Sequence, residues 1–382
     1  MRSPHGGFTL AANMSSASLG AQAADFLRAQ AERIPSSPSL VGLDGFVDTI
    51  LHAVATRQSE DRYTRLASMA EFGGRISAAA GLSANFEMVT QMVKLGGNGP
   101  IMANALDAYG SPVTYVGNLG SPNIHAVFAD FAARAKVVSL AEPGYTDAFE
   151  FDDGKLMFGK HGSLREVNWE NLTSHLPVEK LVSLFGSSAL VALVNWTMLT
   201  GMTRIFERLL AEVMPKLKKR TWMFFDLADP AKRTRGDIAE ATGLVARFQE
   251  HANVILGLNL QEGRQIGEVL GLPACEETHE AVAAHAVAIR EKLGVHTVVI
   301  HPVAFAAAAD ATGGAALQGP YIEKPKITTG AGDHFNAGFC IGRILGAPVD
   351  VSLQIGVGTS GFYVRRAQSP SAADMVEFLR GL

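Results

Sequence analysis

Short, almost wholly apolar runs punctuate the chain: VTYVG (113–117), ALVALVN (189–195), WMFFDL (222–227), NVILGL (253–258) and HTVVIH (296–301). None shows the period-two alternation of a strand with one wet face. Between them lie amphipathic stretches such as TRIFERLLAEVMPKLKK (203–219) and AAHAVAIREKLG (283–294), with apolar residues three and four apart, as on a helix packed by one face. Strands buried on both faces and separated by helices predict an α/β fold built on a parallel sheet. LVGLDGFVD (40–48) is predicted as its first strand.

Three segments depart from that rhythm. Residues 1–39 read as an N-terminal extension, with a helix over LGAQAADFLRAQAERI closed by a Pro/Ser linker, PSSPS. Residues 40–382 then form the main domain. Within it, about 51–95 is predicted as an insertion, mostly helical or irregular. TDAFEFDDGKLMFGKHG (146–162) alternates in period two around Asp153-Gly154, a hairpin signature, so about 142–162 is expected to form a lid. The uncharged run LFGSSALVALVNWTMLTGMT (184–203) is long enough to raise a membrane question. Its Gly, Ser, Asn and Thr residues fit a buried strand and turn better.

Composition narrows the function classes. With 382 residues, 47% hydrophobic and 18% charged, the chain has material for a large core. A formal net charge of −4 argues against a nucleic-acid partner. Cys275 and Cys340 are the only cysteines and form no CxxC. Neither a disulfide framework nor a zinc site is expected, and a reducing, cytoplasmic setting is. The first twenty residues have no apolar core of the kind a signal peptide carries.

The candidate chemistry begins at KITTGAGDHFNAGF (326–339). Open α/β sheets bind ligands where strands end and helices begin. There Gly330 and Gly332 would let the backbone bend, and the amides of Gly330, Ala331 and Gly332 would point outward at a helix N-terminus that favours an anion. Asp333, in that first turn, would repel a bound phosphate unless it takes a proton from an attacking hydroxyl. A Gly-rich turn with Asp starting a helix is the commoner explanation of a lone GxGD, so the neighbouring motifs have to decide. In VKLGGNGPIMANALDAYG (93–110), Gly97 and Asn98 stand at another Gly-rich turn entering a helix, and VGLDGFVD places Asp44 and Asp48 at a strand end suited to hydroxyl binding. In LGLNLQEGRQIG (256–267), Asn259 and Glu262 share one face of a first helical turn. They could order Mg²⁺ and its waters beside phosphates, or simply form a capping box.

Taken in order, VGLDGFVD, GGNGPIMANAL, YTDAFEFDDGK, NLQE and TTGAGDHFNAGF resemble the ribokinase-like (PfkB-type) carbohydrate kinase family from about Leu40 onward. The resemblance implies a three-layer α/β sandwich with a mostly parallel central sheet and a small β lid. It implies ATP-dependent phosphorylation of a sugar or nucleoside hydroxyl, with Mg²⁺. Position by position, it makes Asp333 the catalytic base and Gly330, Ala331 and Gly332 the anion hole. Asn259, Glu262 and Thr329 become the phosphate and Mg²⁺ motif, the metal being held indirectly through Glu262 and water. Asp44, Asp48, Gly97 and Asn98 become the substrate contacts. Homodimers through lid strands occur in the family. A nucleoside kinase of the same fold and an inactive sugar- or nucleotide-binding regulator are the alternatives.

The chain also departs from the family pattern. Ile327 replaces the acid that coordinates a monovalent cation, so that activation is not carried over. VIHPVAFAAAAD (299–310) replaces a T-L-G-x-x-G pattern, which implies altered contacts to the nucleotide base and ribose. VGNLGSPNIHAVF (116–128) lacks the usual acid. His334 and His301 are read as packing or loop residues.

Overall fold

In the computed structural model, which describes residues 16–382, the apolar runs become the middle of a nine-stranded sheet. In chain order the strands are β1 (Ser39–Leu43), β2 (Phe46–Arg57), β3 (Tyr63–Arg65), β4 (Met88–Gly96), β5 (Val113–Gly117), β6 (Lys136–Ser139) and β7 (Gly144–Phe151). They continue with β8 (Gly154–Lys160), β9 (Leu190–Val194), β10 (Trp222–Asp226), β11 (Asn253–Asn259), β12 (Thr297–His301), β13 (Phe305–Asp310) and β14 (Gly313–Gln318). The large sheet runs β14-β13-β12-β11-β10-β9-β1-β5-β6. It is parallel from β6 to β12, and β13 and β14 add an antiparallel edge.

Alternate residues of one strand serve two cores. Val191 and Leu193 join one buried cluster with Phe225 and Leu256, while Leu190, Ala192 and Val194 join the other with Phe224 and Ile255. Side chains of a strand point alternately to opposite faces, and helices cover both, so every position must be apolar. That is why the runs lack alternation. The uncharged stretch at 184–203 is the end of a helix, buried β9 and a turn. Among the described residues no helix is long and apolar enough to cross a membrane.

A second sheet, β3-β2-β7-β8 with β4 paired to the start of β2, overhangs the C-terminal ends of the large sheet's strands. Its far end has its own core of Leu51, Leu66, Phe72, Phe149 and Phe151. Most of 51–95 is helical or irregular, as expected, with one helix at Met69–Ala78, but the segment also holds the end of β2 together with β3 and most of β4, which the expectation did not include. β2 is buried over most of Phe46–Val54, on both faces, and is exposed only at its last two residues, so its burial follows no simple alternation.

The expected single strand 40–48 is also two. β1 ends at Leu43, and β2 leaves for the second sheet from Phe46. The hinge needs Gly45, because a Cβ there would lie 1.9 Å from the Asn118 carbonyl oxygen. Upstream, residues 35–39 are no free linker. A short 3-10 helix, Ala31–Ser36, carries Ile34 into the main core and leads into β1. The helix Ser16–Gln30 buries Leu19, Ala23, Ala24 and Leu27 in that core beside Met375 and Leu379.

Candidate active site

The ends of β1, β9, β10 and β11 meet the overhanging sheet at a cleft of about 430 Å³. Its lining includes Asp48, Gly97, Asn98, Glu262, Thr329, Gly330 and Asp333. Seven of the eleven sequence candidates, scattered over 290 positions, therefore line one cleft; Asn259, Ala331 and Gly332 line a neighbouring cavity, and Asp44 lies beneath.

Asp44 is fully buried beneath the cleft, and its carboxylate is saturated. Oδ2 accepts from the Asn98 amide at 3.0 Å and from Asn195 Nδ2 at 2.7 Å; Oδ1 accepts from the Gly99 amide at 2.8 Å. The Tyr115 hydroxyl donates to the Asp44 carbonyl at 2.6 Å. Asp44 thus fixes the turn that presents Asn98, and the acid facing the cleft is Asp48, carried away on β2. Burial pushes the Asp44 carboxyl up to about 6 against those hydrogen bonds.

At the turn before Asp333, one of the three expected amides is already taken. Gly330, with φ 93°, caps the helix Ala331–Leu345. The Ala331 amide is already bonded to the Thr328 carbonyl at 3.1 Å, so of the three expected amides those of Gly330 and Gly332 have no protein partner among the described residues. Two side chains hold the turn from behind. The Tyr363 hydroxyl donates to the Thr329 carbonyl at 3.0 Å, and His334 Nδ1 donates to the Gly330 carbonyl at 2.7 Å. His334 stacks on Tyr363 with ring centroids 3.5 Å apart. Burial lowers the imidazole to about 4, so it is neutral.

Asp333 is buried at the cleft wall, and Asn98 Nδ2 donates to its Oδ1 at 3.1 Å. Burial, then the charges of Asp44 and Glu262, push its carboxyl up to about 8, with Asn98 opposing. Asn259 and Glu262 form the capping box: Asn259 Oδ1 accepts from the Glu262 amide at 3.0 Å, and Glu262 Oε2 from the Asn259 amide at 2.7 Å. Glu262 Oε1 accepts from the Asp229 amide at 2.8 Å. Asp229 and its neighbour Ala228 both hold left-handed backbone, at φ 58° and 55°, and such strain persists only where the surroundings enforce it.

Residues outside the sequence reading also stand here. Asp226 ends β10 and is buried, its carboxyl raised by burial and by the charges of Glu262 and Asp333. It carries the signal used for Asp44, an acid at a strand's C-terminal end. Asn195 has φ 61° after β9, while His161 and Lys232 line the cleft. No side chain of Lys or Arg forms an ion pair with Asp226, Glu262 or Asp333 among the described residues.

Across the 328–332 turn lies a second cavity of about 380 Å³, lined mainly by apolar groups including Pro302, Phe305, Tyr321 and Val357. His301 sits on its floor, against Phe335 at 4.8 Å between ring centroids, rather than in a loop. The turn therefore separates a polar chamber from an apolar one.

Comparison with known proteins places this architecture. Residues 20–382 match the prokaryotic ketohexokinase family. A ketohexokinase of Haloferax volcanii is 30% identical over 353 residues, 92% of each chain. Among solved structures, an Arabidopsis thaliana ribokinase complexed with ribose and ATP superposes with a TM-score of 0.60 at 16% identity, covering 90% of this chain and 98% of its own. A nucleoside kinase of Methanocaldococcus jannaschii gives 0.59 at 14% identity, covering 91% and 99%. These two share the fold. The near full-length match shows that the chain belongs to the prokaryotic ketohexokinase family and is a carbohydrate kinase of the ribokinase-like, PfkB type.

Proposed function

We propose that this sugar kinase transfers the γ-phosphoryl group of ATP to a hydroxyl of a ketohexose, with Asp333 as the base. The ketohexose comes from the name of the relative. The observation that carries the reading is the placement of Asp333 on the polar side of a glycine turn that divides two chambers, at a helix N-terminus, with no Lys or Arg in ion-pair contact with it among the described residues. The sugar occupies the polar chamber against Asp48 and Asn98, and the nucleotide base the apolar one, which brings the phosphates over the turn. The hydroxyl oxygen bonds to the γ-phosphorus, the bridging P–O bond breaks, ADP leaves, and the hydroxyl proton passes to Asp333. The Gly330 and Gly332 amides, aided by the helix N-terminus, hold the charge on the group in transit. Thr329 contributes its hydroxyl beside them.

No cluster of three His, Cys, Asp or Glu side chains among the described residues could cage a metal. The site fits a cation that keeps its waters, since both Glu262 oxygens already accept amides and the nearby carboxylates lack a cationic partner. Glu262 and Asn259 would hold Mg²⁺ through water, and bound Mg²⁺ would offset phosphate charge. The second sheet serves as the lid that excludes water.

The test is Asp333→Asn. Turnover, read as ADP formation, is expected to fall about 10²- to 10⁴-fold, with the ketohexose KM within a few-fold. Near-normal turnover overturns the assignment. Aldohexoses and nucleosides belong in the same panel, and preferred phosphorylation of a nucleoside would displace the ketohexose.

A further inference from the structure

Lys155 follows the turn glycine of the β7–β8 hairpin and stands opposite Glu150 in the register. Its Nζ lies 2.9 Å from Glu150 Oε1. A cross-strand ion pair of this kind would account for the side chain if it ended there. The same Nζ also donates to Thr329 Oγ1 at 3.0 Å, 174 residues away in sequence. An ammonium group borne by the overhanging sheet thus spans the gap and rests on the residue before Gly330.

The charge distribution gives that contact meaning. The floor contributes Asp44, Asp226, Glu262 and Asp333, all buried. A triphosphate arriving over the turn meets these acids below. On the side of the turn that opens into an adjoining cavity of about 810 Å³ stand Lys155 and, half-buried on β4, Lys94, whose ammonium burial disfavours and Asp48 and, less strongly, Asp333 favour. Group transfer concentrates negative charge on the moving phosphoryl oxygens, and a positioned cation lowers that barrier.

We propose that Lys155 is a catalytic residue of the transfer, the lid's cation for the migrating phosphoryl group; this rests on the kinase reading above. On nucleotide binding its ammonium exchanges Thr329 Oγ1 for a phosphoryl oxygen. It gives and takes no proton, and the bonds made and broken are those already stated. The cross-strand pair with Glu150 belongs to the hairpin and takes no part in the transfer.

The experiment compares Lys155→Met, Lys155→Arg and Glu150→Gln in the full chain, with a ketohexose, ATP and Mg²⁺. Lys155→Met is expected to lose about 10²- to 10³-fold in kcat with the sugar KM within a few-fold. Lys155→Arg should recover part of the loss, and Glu150→Gln should stay within about threefold of wild type, since the Coulombic pair itself is solvated. A binding readout accompanies the rates. ADP alone should bind wild type and Lys155→Met equally, whereas ADP with aluminium fluoride, Mg²⁺ and the sugar, which mimics the group in transit, should be at least tenfold weaker on Lys155→Met. Lys155→Met turning over like wild type overturns the proposal. So does an equal loss in Glu150→Gln, which would make the pair structural. If Lys155→Met does not fold, failure of Lys155→Arg to exceed Lys155→Gln decides against it. A wild-type protein that phosphorylates no sugar defeats the kinase reading itself, a distinct outcome.

Discussion

At the scale of single residues, the behaviour of the site turns on the ionisation of Asp333. Burial raises its carboxyl to about 8, with Asp44 and Glu262 adding repulsion and Asn98 opposing. Lys94, Asp226 and Tyr363 also feel its charge. Only the ionised form can take a proton. The free enzyme's kcat/KM is therefore expected to rise about tenfold per pH unit below pH 8 and to level above it. A limb near pH 4 would point to a different base. The same shift has a consequence for stability. The folded carboxyl binds its proton more tightly than the unfolded one, so its contribution is complete below about 3.8, the ordinary value, and is lost as pH rises through about 8. Asp333→Asn cannot lose it. Its melting temperature should exceed that of wild type by a few degrees at pH 9, and the difference should vanish by pH 4. Equal melting at pH 9 would mean that the carboxyl is not so held.

At the scale of elements, the GGNG turn before the helix Asn98–Tyr109 shows why glycines are required, each for its own reason. Gly97 has φ 94°. A Cβ on Gly96 would sit 2.4 Å from the Asp48 carboxyl carbon, and one on Gly99 would sit 2.4 Å from the Tyr115 hydroxyl and 2.6 Å from Asp44 Oδ1. The two alanine variants should therefore separate. Gly96→Ala displaces Asp48 and should raise the ketohexose KM about tenfold or more with the fold kept. Gly99→Ala breaks the buried network under the turn and should cost about 1–3 kcal/mol of stability, read by denaturant unfolding. If both change only stability, Asp48 is not a substrate contact. The turn also marks what the sequence could reveal. GGNG, N-x-x-E and TTGAGD are legible because each is a local entry into a helix whose chemistry lies within a few residues, the first two directly from a strand and the third from the loop that follows Gln318. The β7–β8 hairpin is legible through its alternation. The long strand β2 is not, because both its faces are buried along most of its length, and the break at Asp44-Gly45 depends on a carbonyl from the Asn118 loop. Asp44 looks like a substrate acid until Asn195 and Tyr115 are brought to it from 151 and 71 positions away. Lys155 and Thr329 meet only through the tertiary fold, which no local spacing encodes.

At the scale of the whole molecule, the two cores on either side of the large sheet decide which segments belong to the catalytic unit. The helix Ser16–Gln30 precedes the first strand, and its sequence alone reads as an extension. Yet Leu27 is fully buried, Gly20 approaches so closely that a Cβ would lie 2.6 Å from the Leu379 carbonyl oxygen, and Arg380 pairs with Asp25 at 2.6 Å. The family match likewise begins inside this helix, at residue 20. Such packing ties the start of the described chain to its end, and through Met375 and Leu379 to the core under the helix that carries Asp333. If the helix is integral, Leu27→Ala should cost about 2–5 kcal/mol, the range for emptying a buried leucine site. It should shift a single cooperative transition, because the loss is felt by the whole core. Far-ultraviolet circular dichroism, which sees all helices, should then superimpose on the tryptophan fluorescence, to which Trp169 and Trp196 report from the opposite core and Trp222 from beside the core that holds Leu27. An independent appendage would give a small early step in dichroism with the tryptophan transition unmoved, and that pattern would remove the helix from the catalytic unit. Below the transition, kcat should match wild type, since Leu27 touches neither chamber and the substitution changes the depth of the folded well without changing the geometry at the turn.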